Sequence, residues 1–421
     1  MPTTVNRRKF LAVSGISAAG VVTGLGTTLA LAAPGSPNTG DAIVAILLRG
    51  GADGLSMSPP YGYASYRQLR PTIAIPPPGN NGGALPLNSG NANAAFPTGI
   101  NNVVGLHPGF QPIYDTLWAQ GRLAVIPATG MPASESATRS HFSAEEYLER
   151  GSAARNVGGG FLGRMLNVAN PPGLVAGVNK SSRTNMLDGG RKSVAAASLS
   201  NFGLDGFRNR DQAKAALRAL NGGNDSVSAE GRSVLDVVDQ IQSLGDGRRP
   251  GYPNTGLGRG LSEVSTLLKA NIGVHAATLE LGGWDHHSNL GAPGDTNGRF
   301  YRKITELAGA LRAFADDTNQ LEEITVIVLT EFGRTINENG NRGTDHGRGA
   351  THLVMGGGIQ GGVFGDDYPD VIRDDPQTGD LSVLTDYRKP LSEVIMNRAG
   401  VNNLGTVFPT YTQNGTLGLT R

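Results

Sequence analysis

An unbroken apolar run at residues 42–48 constrains the fold more than any other feature of this chain. A strand that carries no polar residue must be covered on both of its faces. Comparable strand patterns at 123–126, 274–281 and 324–329 are separated by helical patterns. Strands that alternate with helices predict an α/β fold, with a mostly parallel central sheet flanked by helices on both faces.

The pattern along the chain predicts a single domain with long loop insertions, from residue 33 to residue 421. Residues 76–105 are rich in Pro, Gly and Asn, which is typical of a long loop. Between residues 157 and 256 the periodicity is weak. The predicted helices occupy residues 108–120, 140–150, 233–244, 261–270, 299–316 and 390–399, and a short strand is predicted at 352–355.

Residues 1–32 are predicted to be a twin-arginine export signal. Arg7 and Arg8 precede a weakly apolar run at 12–31, and the small residues Ala30 and Ala32 offer a cleavage site. The run is less apolar than a spanning helix, which needs ~20 mostly apolar residues, although an uncleaved anchor remains the alternative. We expect the twin-arginine machinery to export the protein to the periplasm or the exterior, with no stable membrane span after cleavage.

Composition excludes several classes of function. Lys and Arg number 36 against 35 Asp and Glu, a formal charge of +1, and this argues against nucleic-acid partners, because phosphate contacts need a basic surplus. The chain has no cysteine. Disulfides, thiolate metal sites, iron–sulfur clusters and thiol nucleophiles are therefore excluded.

The residues suited to chemistry follow predicted strands. Asp53, Asp285 and Glu331 each come shortly after a strand ends, and Ser140 begins the helix that follows another strand. Ligands bind at the carboxyl ends of the strands in an open parallel sheet. We therefore expect these segments, which are distant in sequence, to converge on one edge of the sheet.

Carboxylates and imidazoles recur together in short glycine-flanked motifs, a donor mixture that suits Zn²⁺ or Mn²⁺. Two such clusters can hold two ions about 4 Å apart, an arrangement that clamps a transferring phosphoryl group. His286 and His287 point in different directions, so we expect one ligand and one neighbour, and His107 and His275 are expected to be structural. The candidate metal ligands are Asp53, Asp285, His287, Asp345, His346 and His352.

Ser140 and His141 are the candidate catalytic residues. A serine at a helix start would have its developing alkoxide stabilised by the helix dipole and by a metal, but the same serine can be a simple N-cap. His141 either orients Ser140 or binds substrate. Glu331 either belongs to the site or pairs with Arg334, and Trp284 either lines a cleft or packs on the sheet.

Five motifs taken together, in order along the chain, resemble an exported bacterial family, domain-of-unknown-function family 1501, which usually carries a twin-arginine signal and has no settled activity. The family is similar, more distantly, to the alkaline phosphatase and sulfatase superfamily of metal-dependent hydrolases, and so implies an alkaline-phosphatase-like fold. The motifs are R-G-G-x-D-G from Arg49, R-S-H-F from Arg139, G-G-W-D-x-H from Gly282, E-F-G-R-T from Glu331 and T-D-H-G from Thr344.

The resemblance also implies roles for individual residues. Ser140 would be the nucleophile. One ion would be held by Asp53, Asp345 and His346, and the other by Asp285, His287 and His352. The chain departs from the superfamily in two spacings: Asp285 and His287 are two residues apart instead of four, and Asp345 comes fourteen residues after Glu331, which holds the strand-end position.

Three functions follow as hypotheses. The first is an exported metal-dependent hydrolase of phosphate or sulfate esters, which acts on an anionic ester substrate. The second is a non-catalytic envelope protein that binds a glycan or an anion on the same fold. The third is a metal-independent esterase that uses Ser140 and His141.

Overall fold

The structure is a computed structural model that describes residues 41–88, 91–96, 103–171, 175–180, 184–200, 202–203, 209–365 and 379–421. The predicted export signal, residues 1–32, lies outside the described residues, so it stays a prediction. Among the described helices, none combines the length and the apolar character that a membrane span needs.

The strands are named in chain order. They are β1 (Ala42–Arg49), β2 (Leu85–Pro86), β3 (Gly105–Leu106), β4 (Leu123–Gly130), β5 (Gly177–Asn179), β6 (Ser193–Ala195), β7 (Ala276–Gly282), β8 (Ile324–Thr330), β9 (Ala350–Gly356), β10 (Gly362–Val363) and β11 (Thr385–Asp386).

The helices are named in the same way, and α3 lies between a 3₁₀ turn at Pro108–Phe110 and a π-helical segment at Tyr114–Trp118. They are α1 (Gly54–Met57), α2 (Ala64–Leu69), α3 (Gln111–Ile113), α4 (His141–Arg150), α5 (Phe161–Ala169), α6 (Arg210–Leu220), α7 (Ser226–Ser243), α8 (Gly256–Lys269), α9 (Arg299–Asp317), α10 (Arg388–Asn397) and α11 (Leu404–Val407).

The central sheet is mostly parallel, as predicted. Its order is β10-β4-β9-β8-β1-β7-β5-β6, and β11 also pairs with β4. The strand β9 runs antiparallel to both of its neighbours, β4 and β8, whereas the other described pairs of this sheet are parallel. The strands β2 and β3 form a separate antiparallel pair.

Helices cover both faces of the sheet, which explains the unbroken apolar run of β1. Val44, Ile46 and Leu48 belong to a core that includes residues of α8 and α9. Ile43, Ala45 and Leu47 belong to the opposite core, with residues of α5 and α10. Because successive strand residues point to opposite faces, a strand buried on both sides must be apolar at every position.

Several elements differ from the prediction. Residues 108–120 form a 3₁₀ turn, α3 and a π-helical segment instead of one helix, and α8 begins at Gly256 instead of residue 261. The helix predicted at 233–244 begins at Ser226, after an Asp225 side chain that accepts a hydrogen bond from the Ser228 amide. The helix α6 was not predicted, and it buries none of its residues. Ion pairs with α7 hold it instead, such as Arg218 with Asp236 at 2.7 Å.

Candidate functional site

The carboxyl edge of the parallel strands carries the candidate site, as the sequence predicts. Arg49 at the end of β1 is level with Gly282 at the end of β7, and Leu48 is level with Thr330 at the end of β8. Asp285 and Glu331 therefore follow adjacent strand ends. The helix α4, which begins directly after Ser140, delivers His141 to the same edge.

Glu331 ties three of these segments together. Its buried Oε1 accepts hydrogen bonds from the amides of Gly50 at 2.8 Å and Gly51 at 2.9 Å, and it lies 2.7 Å from Nδ1 of His141. Both glycines have positive φ, and a Cβ on Gly50 would lie 2.5 Å from the Asp285 amide nitrogen. Only glycine fits so close an approach in this backbone region. Glu331 therefore contacts His141 and the Gly50–Gly51 turn, whereas Arg334 pairs with Asp285.

Asp285 lies at the centre of three imidazole rings. Nε2 of His287 is 3.1 Å from Asp285 Oδ1, and Nε2 of His346 is 3.3 Å from the same oxygen. Nε2 of His141 is 3.6 Å from Asp285 Oδ2. The Nε2 atoms of His287 and His346 are 2.9 Å apart. We call Asp285, His141, His287 and His346 the histidine cluster.

Each ring of the histidine cluster is held from behind through Nδ1. The partner of His141 is the Glu331 carboxylate, and the partner of His287 is Oδ1 of Asp345 at 3.1 Å. His346 bonds to the backbone carbonyl of Arg139 at 2.9 Å. Such contacts fix both the tautomer and the orientation of an imidazole.

Arg334 supplies the permanent positive charge beside the cluster. It is buried, and it donates to Asp285 Oδ1 at 2.6 Å and to the carbonyl of Gly51 at 2.6 Å. Burial by itself would raise the pKa of Asp285, but the hydrogen bond and charge of Arg334 and the nearby His287 lower it to about 2. Asp285 is therefore an ionised carboxylate at neutral pH.

Asp53 does not join the histidine cluster, contrary to the expectation that it would lie with Asp345 and His346. Its oxygens accept from both terminal nitrogens of Arg70, at 2.6 and 3.1 Å, and from the Ser56 hydroxyl at 2.9 Å. Arg70 is fully buried and also donates to the Thr335 carbonyl. A buried guanidinium needs a counter-charge, and Asp53 supplies it.

His352 is also held away from the cluster. It lies in β9, and its buried Nε2 contacts the backbone of Thr330, 3.2 Å from the oxygen and 3.3 Å from the nitrogen. His352 is level with Ile126 of β4 and is buried. The pairing of His352 with Asp285 and His287 is therefore not what the structure shows.

Ser140 occupies the N-cap position of α4 and is exposed. Its side chain makes no capping hydrogen bond to the described part of the helix. The residue before it, Arg139, bonds to His346, and the residue after it is His141. Ser140 therefore lies beside the cluster with its hydroxyl uncommitted to the helix.

His286, His107 and Trp284 are buried in the core. Burial lowers the pKa of His286 to about 4, and this ring packs edge-on against Phe300. His107 accepts from the Gly109 amide, and burial lowers its pKa to about 3. Trp284 is fully buried against Phe300, so it packs in the core. His286 therefore lies in the core, whereas His287 lies in the histidine cluster.

Among the residues that the structure describes, two groups of side chains have the composition and closeness to hold a cation. In His141, Asp285 and His346, ligand atoms lie within 4.8 Å of one another, and the same is true of His141, Glu145 and Glu331. In the second group, Glu145 pairs with Arg49, and Oε1 of Glu331 accepts two backbone amides. The first group, with its imidazole and carboxylate donors, fits a borderline divalent cation such as Zn²⁺ or Mn²⁺.

Several residues of the site were missed at the sequence level. Glu145 lies four positions after His141, a spacing that places both on one face of α4 and could have identified it. Arg49 joins Glu145 to Glu280. Asn339, which donates to Asp345 at 3.0 Å, carries no sequence signal.

Comparison with known proteins gives one family match. The model of a family described as a protein of unknown function, DUF1501, matches residues 124–376. A search of curated proteins finds no match to this sequence.

Solved structures match at low identity. The C-terminal periplasmic domain of EcEptC from Escherichia coli, in complex with Zn, is 9% identical over 89% of this chain and 88% of that chain, with a TM-score of 0.38. The lipoteichoic acid synthase LtaP from Listeria monocytogenes is 10% identical over 83% and 75%, with a TM-score of 0.30. Alkaline phosphatase from the Antarctic bacterium TAB5 is 12% identical over 77% and 95%, with a TM-score of 0.30.

Proposed function

The chain belongs to the DUF1501 family, and from that premise we propose that it is an exported, metal-dependent hydrolase of phosphate or sulfate esters. Ser140 is the proposed nucleophile. The divalent metal would be held by imidazole and carboxylate groups of the histidine cluster.

One observation carries the proposal: Ser140 is exposed, and its side chain makes no capping hydrogen bond to α4. Its neighbours in sequence are His141, a member of the histidine cluster, and Arg139, whose carbonyl bonds to His346. A serine that served only as an N-cap would accept a hydrogen bond from an amide of the first helical turn. The ten-residue helix α4 also places the positive end of its dipole at Ser140. Both features favour formation of an alkoxide at this position.

The proposed reaction has two steps. Ser140 Oγ attacks phosphorus or sulfur, the Oγ–P or Oγ–S bond forms, and the ester oxygen leaves with the serine proton as the free alcohol. Water then attacks the phospho- or sulfo-serine, which releases the inorganic anion and restores the serine hydroxyl. A divalent metal, when bound, lowers the pKa of an oxygen nucleophile and neutralises charge on the transferring group.

The chain's own residues hold the site in position for this chemistry. Glu331 fixes the ring of His141 directly after the nucleophile, and the Arg139 carbonyl fixes His346 directly before it. Arg334 keeps Asp285 ionised, so that this carboxylate stays available as an anionic donor.

The test uses one fluorogenic aryl phosphate and one aryl sulfate with zinc- and manganese-loaded protein. Wild type should turn over at least one of them, and Ser140→Ala should abolish turnover with metal content unchanged. Because no capping bond is lost, Ser140→Ala should cost less than the ~1 kcal/mol typical of an N-cap. Ser140→Asp, which retains capping ability, should be equally inactive.

The results also separate the alternatives. Full activity in Ser140→Asp would remove Ser140 from the mechanism. Metal-free turnover would favour the Ser140 and His141 esterase. Metal binding with no turnover of either ester would favour the non-catalytic anion- or glycan-binding protein.

Export by the twin-arginine machinery is a second part of the proposal. It is supported by the paired arginines ahead of a weakly apolar run. The double substitution Arg7→Lys with Arg8→Lys should leave an uncleaved precursor in the cytoplasm. Cleaved, exported protein in that variant would refute the signal.

A further inference from the structure

We infer that the histidine cluster is a mononuclear metal centre, with the Nε2 atoms of His141, His287 and His346 and a carboxylate oxygen of Asp285 as ligands. This differs from the two-ion arrangement that the motifs suggest. It also makes His141 a metal ligand rather than a base for Ser140. The inference shares the metal of the proposed function but does not depend on its reaction.

The hydrogen positions on the three rings follow from the partners of their Nδ1 atoms. Nδ1 of His346 faces a backbone carbonyl, which only accepts hydrogen bonds, so this nitrogen carries the hydrogen. Nδ1 of His141 and Nδ1 of His287 face the carboxylates of Glu331 and Asp345. In the neutral form, each ring therefore directs the lone pair of Nε2 toward Asp285.

These lone pairs have no matching donors. The Nε2 atoms of His287 and His346 are 2.9 Å apart, a distance at which two lone pairs repel. Nε2 of His141 is buried and has no hydrogen-bond partner among the described residues. The carboxylate of Asp285, which can only accept, lies 3.6 Å from it. A cation shared by these atoms removes the mismatch.

Arg334 does not do so, because its contact is with Oδ1 of Asp285 and with backbone carbonyls. It leaves the three nitrogen atoms without a donor. A divalent ion at the same place would bind all of them at once, since Zn²⁺ accepts both imidazole nitrogen and carboxylate oxygen.

The surroundings of the cluster match those of a metal site. Ligating histidines commonly donate their second nitrogen to a carboxylate or a carbonyl, and here all three do. Glu331 and Asp345 are therefore positioning residues. Asp53 is not a ligand, because its carboxylate accepts from Arg70. His352 is not a ligand either, because its Nε2 contacts the backbone of Thr330.

The experiment measures metal content and affinity without any substrate. Metal-stripped protein is titrated with Zn²⁺ against a chelator, and its metal is counted by mass spectrometry. We expect one ion per chain. His287→Ala and His346→Ala should lose stoichiometric metal, whereas Phe142→Ala, a change at a neighbouring and 87% exposed side chain, should not.

Two conservative changes test the positioning residues. Glu331→Gln and Asp345→Asn should each weaken Zn²⁺ binding by roughly 10- to 100-fold, the usual effect of losing such a partner. His352→Gln should keep one ion per chain. In case this variant does not fold, X-ray absorption of the wild-type zinc protein gives a second test and should show a coordination shell rich in imidazole.

Two ions per chain, a shell poor in imidazole, or unchanged metal content in His346→Ala would overturn the inference. One bound ion without ester hydrolysis would leave it intact and would count only against the proposed function.

Discussion

The substitution Asp53→Asn separates a structural carboxylate from a metal ligand. Asp53 and Arg70 form a bidentate ion pair whose side chains are 3% and 0% exposed. Asparagine keeps the shape of the side chain and one acceptor oxygen but removes the charge. Because arginine cannot be deprotonated in a protein, Arg70 would remain a buried cation without its counter-charge.

The expected cost follows from that uncompensated charge. Removal of one partner of a buried ion pair destabilises a protein by about 3–5 kcal/mol. Arg70 keeps its hydrogen bonds to the carbonyls of Thr335 and Ile336, so we expect a value near 3 kcal/mol. With roughly 2.1 cal/mol/K of unfolding entropy per residue, a domain of about 390 residues should lose about 4 °C in Tm.

The assay combines thermal unfolding of metal-free protein with metal counting. Asp53→Asn should lower Tm and leave the zinc content unchanged. The double variant Asp53→Asn with Arg70→Met removes both charges and should recover much of the loss, because no buried charge is left unpaired. Asp285→Asn is the matched control at a half-exposed carboxylate, and it should lose metal instead. Unchanged Tm together with lost metal in Asp53→Asn would refute this reasoning and restore Asp53 as a ligand.

Three further predictions concern stability. Burial raises the pKa of Glu149 to about 7, above its ordinary value of 4.5, so folding favours the protonated form and stability should fall as pH rises from about 4.5 to about 7. Glu149→Gln should remove this pH dependence and raise the free energy of unfolding at pH 8 by up to about 3 kcal/mol, as measured by urea unfolding across pH. Parallel pH profiles of the variant and the wild type would contradict this prediction. Gly51→Ala places a Cβ 2.5 Å from the Phe332 ring, at a position where the backbone φ is positive. In the same assay it should lower the free energy of unfolding by at least about 1 kcal/mol. An unchanged unfolding midpoint would count against the placement of this loop. Asp225→Ala should cost about 1 kcal/mol through the lost cap of α7, and Asp225→Ser should restore it; equal stability of the two variants would show that the cap is not formed in solution.

The sequence predicts the frame of the site well because local patterns determine it. The apolar run of β1 requires cover on both faces, and the alternation of elements requires parallel strands, so the carboxyl edge follows. The start of α4 at Ser140 and His141 is likewise a local signal. These features depend on neighbours in the chain, and a single sequence contains them.

Which charged residues pair with each other depends on the tertiary structure and not on neighbours in the chain. These pairings could therefore not be predicted from the sequence. Nothing in the sequence around Arg70 indicates that it is fully buried and takes both oxygens of Asp53. Nothing local indicates that Arg334 pairs with Asp285 instead of Glu331, its near neighbour in sequence. Each pairing is decided by which charge the fold buries, and a buried charge takes the nearest opposite charge that geometry allows.

Glu331 and Asp345 are fourteen residues apart in sequence, and the fold of the chain between them brings both arms of the loop to one edge of the sheet. After β8 the chain folds back on itself, and Arg334 forms an antiparallel bridge with His346. The amides of Gly347 and Thr335 donate to the carbonyls of Gly333 and Asp345, which closes the loop. Residues far apart in sequence thus become neighbours at one strand end.

This loop supplies the site from both of its arms. The outgoing arm carries Glu331 and Arg334, which hold His141 and Asp285, and the returning arm carries Asp345 and His346. A Cβ on Gly347 would lie 2.4 Å from the Arg334 backbone, so the close pairing of the arms requires glycine at this position. The intervening residues therefore do not separate Asp345 and His346 from the strand end, and the G in T-D-H-G is needed for the close pairing of the two arms.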